Sequence, residues 1–118
     1  MNITLLSADY ESVEVVVSGS AVSAGDDVQL NSGVYGFYLT DGEIGDTVTV
    51  VTKASRVRAP KQAPLAIAVG EIVYYDTTGN EIDKTNTNVL VGSCVEDGAS
   101  ADTTIVVSWD GFAAFLKL

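Results

Sequence analysis

A short pattern of residues occurs twice in this chain, and it restricts the fold more tightly than any other feature. Gly36, Asp41, Gly42, Asp46 and Thr47 return as Gly92, Asp97, Gly98, Asp102 and Thr103, all at one offset of 56 residues. Upstream, Ala24-Gly25-Asp26-Asp27-Val28 matches Val69-Gly70-Glu71-Ile72-Val73 at an offset of 45, so the second copy carries an insertion of 11 residues around Asp76 to Asn88. Each copy reads as strand, strand, Asp-Gly turn and strand. A unit of that size cannot cover its own apolar face, so two copies must pack together. Chance recurrence of common turn words explains five identities at a single offset poorly. The expected architecture is therefore all-β: a small single-domain β-barrel or sandwich built from two related half-units, with one closed barrel as the direct consequence.

The segments between the repeated words agree. Apolar and polar residues alternate in Ser12-Val13-Glu14-Val15, Asp46-Thr47-Val48-Thr49-Val50 and Thr104-Ile105-Val106-Val107-Ser108-Trp109, which is the period of a strand with one buried face. Valine, isoleucine, threonine and tyrosine suit a pleated, half-buried surface. Turn formers punctuate the runs at Ser18-Gly19-Ser20, Asn31-Ser32-Gly33, Asp41-Gly42, Thr78-Gly79-Asn80 and Asp97-Gly98, where a positive φ or a side-chain bond to the backbone is needed. The stretch Ala63 to Ala68 fits either a short helical turn or an extended crossing.

With 118 residues, 47% of them hydrophobic, the chain has material for one core and one domain, residues 1–118. Its apolar runs are far shorter than the ~20 residues of a spanning helix. No basic and apolar leader opens the sequence, so synthesis in a cytoplasm is expected. Met1 to Asp9 reads as either a first strand or an N-terminal arm that orders on a partner. The apolar tail Phe112 to Leu118 reads as either a last core strand or a segment packed on a neighbouring chain. The single cysteine, Cys94, excludes an internal disulfide and suits a buried, inert thiol.

The charge is lopsided. Sixteen acidic residues against six basic ones give a net charge of -10, which repels nucleic acid and anionic membranes. Yet Lys53, Arg56, Arg58 and Lys61 fall within nine residues, and no acid lies between Asp46 and Glu71. Pro60 and Pro64 follow and should keep this segment out of a central strand. It reads equally as a docking strip and as an edge strand that uses positive charge against edge-to-edge aggregation.

Chemistry is poorly served. There is no histidine, which removes the commonest general base and metal ligand and every Ser-His or Cys-His pair. The acids Asp41, Glu43 and Asp46, and Glu96, Asp97 and Asp102, suit a carboxylate pair or calcium in type. They occupy repeat-equivalent turns, however, and read as turn-closing and solvated side chains. No phosphate-binding glycine loop is present. Tyr35, Phe37, Tyr38, Tyr74 and Tyr75 are read first as core residues, with a sugar-stacking platform as the alternative. Trp109 is a core or subunit-contact residue. The chain is expected to be no enzyme and to need no cofactor or metal.

Taken in order, these words resemble the capsid cement, or head decoration, family of tailed phages. The carriers are Ala24-Gly25-Asp26, Gly36-Phe37-Tyr38-Leu39-Thr40-Asp41, Gly45-Asp46-Thr47-Val48-Thr49-Val50, Val57-Arg58-Ala59-Pro60-Lys61, Val69-Gly70-Glu71-Ile72-Val73-Tyr74-Tyr75-Asp76 and Leu90-Val91-Gly92. The chain departs from the pattern at Ser55, where glycine is frequent, and in its apolar tail. The resemblance implies a structural virion protein that binds the major capsid protein on the outer surface of an expanded head, as a homo-oligomer, trimeric in preference to dimeric. Lys53, Arg56, Arg58 and Lys61 are then the candidate capsid contacts, and Trp109, Phe112, Phe115 and Leu116 the candidate oligomer or tail contacts. Another virion or surface binding module, recognising carbohydrate, is the competing expectation.

Overall fold

The computed structural model describes residues 3–30 and 32–112. Nine strands follow one another among these residues: β1 (Thr4–Leu5), β2 (Tyr10–Val16), β3 (Asp27–Gln29), β4 (Tyr35–Tyr38), β5 (Thr47–Pro60), β6 (Ile72–Asp76), β7 (Glu81–Asp83), β8 (Val89–Cys94) and β9 (Thr104–Asp110). All belong to one antiparallel sheet in the order β3-β4-β5-β9-β8-β6-β7, with β1 and β2 paired along β5. The sheet curls into a half-barrel. Full closure, expected from the sequence, is not reached: β7 returns to the end of β5 through a single parallel bridge, Lys61 to Ile82, with Gln62 N–H donating to Ile82 O at 2.9 Å. The segment 63–68 is an irregular crossing rather than a helical turn.

The repeat is real in three dimensions. Val28 pairs with Gly36 as Val73 pairs with Gly92, and the bridge of Val22 to Gly42 has its counterpart in Ile67 to Gly98. The turn bonds match as well. Gly25 N–H donates to Tyr38 O at 2.8 Å and Gly70 N–H to Cys94 O at 2.9 Å. The 11 additional residues of the second copy supply β7, which pairs back on β6. One further residue enters at the start of β9, so the pair Tyr38 and Val50 is matched by Cys94 and Val107.

Two repeated glycines show why the words recur. A Cβ at Gly36 would lie 2.4 Å from Val51 O, and one at Gly92 would lie 1.8 Å from Ser108 O. These are equivalent carbonyls of β5 and β9, and only a residue without a side chain lets the neighbouring strand approach so closely. Gly92 also has a φ of 150°, within the region that disfavours other residues.

The core centres on Trp109, which is fully buried. Tyr35, Phe37 and Tyr75 surround its ring at centroid distances of 6.0, 5.4 and 6.2 Å, Phe37 meeting it edge-on at 84°. Such offset and edge-to-face contacts suit the ring quadrupoles. Valines and alanines of the curled sheet complete the cluster, and Ile3 joins it. With Ile3 N–H bonded to Gly25 O at 3.0 Å and β1 paired on β5, residues 3 to 5 are tied into the sheet.

The two half-units turn opposite faces to this core. In the first, Phe37 is buried at 1% exposure beside Val51 at 0%; in the second, the matching Ser93 and Ser108 lie outside, while Val73, Cys94 and Val107 point in. Bulges between Glu11 and Ser12 and between Ala54 and Val57 mark where β5 changes register with its neighbours. A one-residue register change exchanges the two faces of a strand.

Candidate functional site

The basic segment lies on β5, the longest strand, and both edges of that strand are paired: β2 and β1 on one side, β4 and β9 on the other. This corrects the expectation that the prolines keep it from being central. Pro60 is the last residue of β5, opposite Thr104, and the pairing with β1 stops at Arg58, so its missing N–H interrupts no ladder. Lys53, Arg56 and Arg58 therefore stand on a strand paired along both edges, and Lys61 lies one residue past its end.

Their surroundings differ. Lys53 is exposed and sits directly across from Glu11 on β2 and Asp110 on β9. Together with Asp9, Tyr10 and Ser55 it lines an open groove of about 360 Å³. Arg56 forms an ion pair with Glu96 in which both side chains are about half exposed, an arrangement that contributes little to stability. Arg58 is exposed, between Thr4 and Val106, and makes no ion pair among the described residues.

Lys61 belongs to the interior. It is only 3% exposed, and its ammonium donates to the main-chain oxygens of Gln62 at 2.6 Å, of Leu65, and of Ser100 at 3.5 Å. Its stem passes beside Gly98, where a Cβ would lie 3.3 Å from Lys61 Cδ. A buried ammonium needs such acceptors, and here the irregular crossing supplies them. Lys61 thus has no surface to offer a partner. The signal in the sequence was its position just past the strand end, next to the irregular segment.

Trp109 is likewise an internal residue, its indole N–H donating to Tyr35 O at 3.1 Å. Phe112 is 43% exposed, with its N–H bonded to Asp110 Oδ1 at 3.1 Å. Phe115 and Leu116 lie outside the described residues, as does the rest of the tail from 113 on.

The acids of the repeated turns bind main chain. Asp41 Oδ1 accepts from Ala24 N–H and Asp97 Oδ1 from Val69 N–H, both at 2.8 Å, and Asp46 and Asp102 accept from Glu43 and Ala99 N–H, both at 2.9 Å. These side chains close turns. Glu71 does the same for Ala68 N–H at 2.8 Å, and that bond, reinforced by Lys84 at 3.3 Å, holds its carboxyl below the usual range. Among the described residues no three acidic or cysteine side chains converge on a metal-sized site.

Of the tyrosines considered as sugar platforms, Tyr35 and Tyr75 are buried at 2% exposure. Burial raises both phenols well above their ordinary value, and the Tyr35 hydroxyl donates to Asp27. The Cys94 thiol is buried too, and burial raises its pKa, which keeps it protonated and unreactive. The carbohydrate reading therefore loses half of its platform.

What remains among the described residues is a sheet paired along β5 on which Lys53 and Arg58 face solvent outside any ion pair, while the exposed Arg56 and Lys84 are paired with Glu96 and Glu71. Comparison with curated proteins and with solved structures returned no match. A family model described as phage cement protein matches residues 7–109, from ahead of β2 to within β9. The match spans both half-units, the insertion and the whole basic strand, and by it this chain belongs to the phage cement protein family.

Proposed function

We propose that this protein cements an expanded phage head by binding the major capsid protein on the outer surface of the shell as a homo-oligomer, a trimer in preference to a dimer. The observation that carries the proposal is the family match over both half-units. The geometry supports it with a stiff acidic module whose exposed cations, Lys53 and Arg58, stand on a strand paired along both edges. A net charge of -10 disfavours packaged nucleic acid as the partner. The function needs no turnover: a ligand of the assembled lattice that ignores free subunits shifts the equilibrium toward the intact shell. Adjacent lattice sites raise the effective concentration of each linked subunit, so modest single contacts give slow release.

The test mixes purified protein with expanded, undecorated heads and with unexpanded ones, followed by sedimentation and heating. Saturable co-sedimentation with expanded heads, and survival of those heads to higher temperature, are expected. Absence of binding to expanded heads of the cognate phage would overturn the proposal.

A further inference from the structure

Where the first half-unit has the core residues Phe37 and Val51, the second has Ser93 and Ser108, which face outward and are half-buried. The two serines sit directly opposite each other on β8 and β9, and Ile72 on β6 stands directly across from Ser93. In the other direction Ser108 joins the open groove of about 360 Å³ that Tyr10, Lys53 and Ser55 line. Tyr10, Ser55, Ser108, Ser93 and Ile72 thus mark a trough that crosses β2, β5, β9, β8 and β6. Its floor is three serines, and both ends are apolar and open, Tyr10 at 43% exposure and Ile72 at 56%.

Of the four exposed cations among the described residues, three, Lys53, Arg56 and Arg58, lie along this trough. The acids beside it are engaged. Asp9 Oδ1 accepts from Ser55 Oγ and Asp110 Oδ1 from Phe112 N–H, both at 3.1 Å, Glu96 pairs with Arg56, and Glu11 stands opposite Lys53. Arg58 is different: the residues across from it, Thr4 and Val106, carry no charge, and its guanidinium faces solvent without an ion pair among the described residues. The Ser93 and Ser108 hydroxyls likewise have no hydrogen-bond partner among the described residues.

We propose that this trough is the capsid-facing groove and takes an extended, carboxylate-bearing segment of the major capsid protein. The proposal rests on the cement reading above and adds to it the surface and the chemistry of the partner. The trough spans four strand spacings of about 4.8 Å, roughly 19 Å, the length of about six extended residues. Extended main chain presents donors and acceptors in alternation, and a serine hydroxyl serves either. Arg58 takes the carboxylate through its planar fork, while apolar side chains of the segment rest on Tyr10 and Ile72. Charge complementarity selects this place: a chain of net charge -10 repels a carboxylate over most of its surface, and Arg58 meets it with no acid across the strand. Because β5 and β9 are paired along both edges, the trough is set before binding, which lowers the ordering cost.

Ser108→Trp fills the floor of the trough, Ile72→Glu places a repelling charge at its end, and Val16→Glu, 64% exposed at the opposite end of β2 from Tyr10, is the control. In co-sedimentation with expanded heads, wild type and Val16→Glu are expected to bind alike, and Ser108→Trp and Ile72→Glu at least about tenfold more weakly. Circular dichroism and solution mass should be unchanged throughout. Arg58→Glu should weaken binding too, with a deficit that narrows as salt screens the repulsion. Should Ser108→Trp not fold, Ile72→Glu at its exposed site carries the test. Full binding by both Ser108→Trp and Ile72→Glu, or an equal loss in Val16→Glu, would overturn the trough. So would variants that change the solution mass and not head binding, which makes a second copy the occupant. A wild type that ignores expanded heads defeats the cement reading itself, whereas a wild type that binds beside unaffected trough variants defeats this proposal alone.

Discussion

The indole N–H of Trp109 donates to the main-chain oxygen of Tyr35 at 3.1 Å, so the centre of the core is a bond between the second half-unit and the first. Trp109→Ala is expected to destabilise the fold by about 3–5 kcal/mol, the range for deleting a large buried aromatic. Trp109→Phe should cost less, although it strands the Tyr35 oxygen. Chemical denaturation followed by circular dichroism checks both; a loss under about 1 kcal/mol for the alanine variant would contradict the packing described.

Gly36→Ala and Gly92→Ala test whether the repeat reflects strand approach. Both are expected to lower the unfolding midpoint, Gly92→Ala more, because its Cβ would lie only 1.8 Å from Ser108 O and its φ is 150°. Gly45→Ala separates the two causes: nothing lies within 4 Å of its Cβ, so only its positive φ of 95° opposes substitution. Gly45→Ala should therefore be the mildest of the three.

Lys61 and Arg58 lie three residues apart and should behave in opposite ways. Lys61→Met removes the donor to three main-chain oxygens and is expected to cost about 1–3 kcal/mol of stability. Head binding by the molecules that remain folded should be unchanged. Arg58→Ala should leave stability within about 0.5 kcal/mol and weaken binding to expanded heads, together with its salt dependence. Thermal melts and co-sedimentation at two ionic strengths distinguish the two residues.

Tyr35 and Tyr75 make stability fall in alkali. Both phenols have folded pKa values raised by burial above the unfolded value near 10. The unfolded chain therefore releases protons that the folded chain retains. Stability is fully present below pH ~10 and declines as pH rises beyond it. Ultraviolet titration should show a phenolate step equal to two of the five tyrosines delayed until unfolding. A double Tyr35→Phe, Tyr75→Phe variant, compared by urea denaturation at pH 8 and pH 11, should lose less stability with alkali than wild type; an identical loss would refute the assignment.

Much of this molecule was legible from neighbouring residues. Turns such as Asp41-Gly42 and Asp97-Gly98 and the alternation in β2, β5 and β9 are local properties, set by backbone sterics and by side chains bonding within a few positions. The repeat followed from identities alone, and the structure reproduces it bond for bond at Gly25 and Gly70. The family words rest on those same turns and strands, which is why the resemblance was readable.

What stayed hidden was which side of each strand faces in, and it was hidden for a physical reason. Thr47 to Val51 offers valines to both faces, Val48 and Val50 to one and Val51 to the other, so alternation alone cannot name the core side. That choice was made by register. The bulges along β5 and the added residue before β9 turned Val51 inward in one half-unit and Val107 inward in the other. Long-range packing also placed the Lys61 ammonium among the carbonyls of the crossing and enclosed Trp109 between the half-units. Both outcomes depend on residues distant in the chain meeting in space, which no local pattern records.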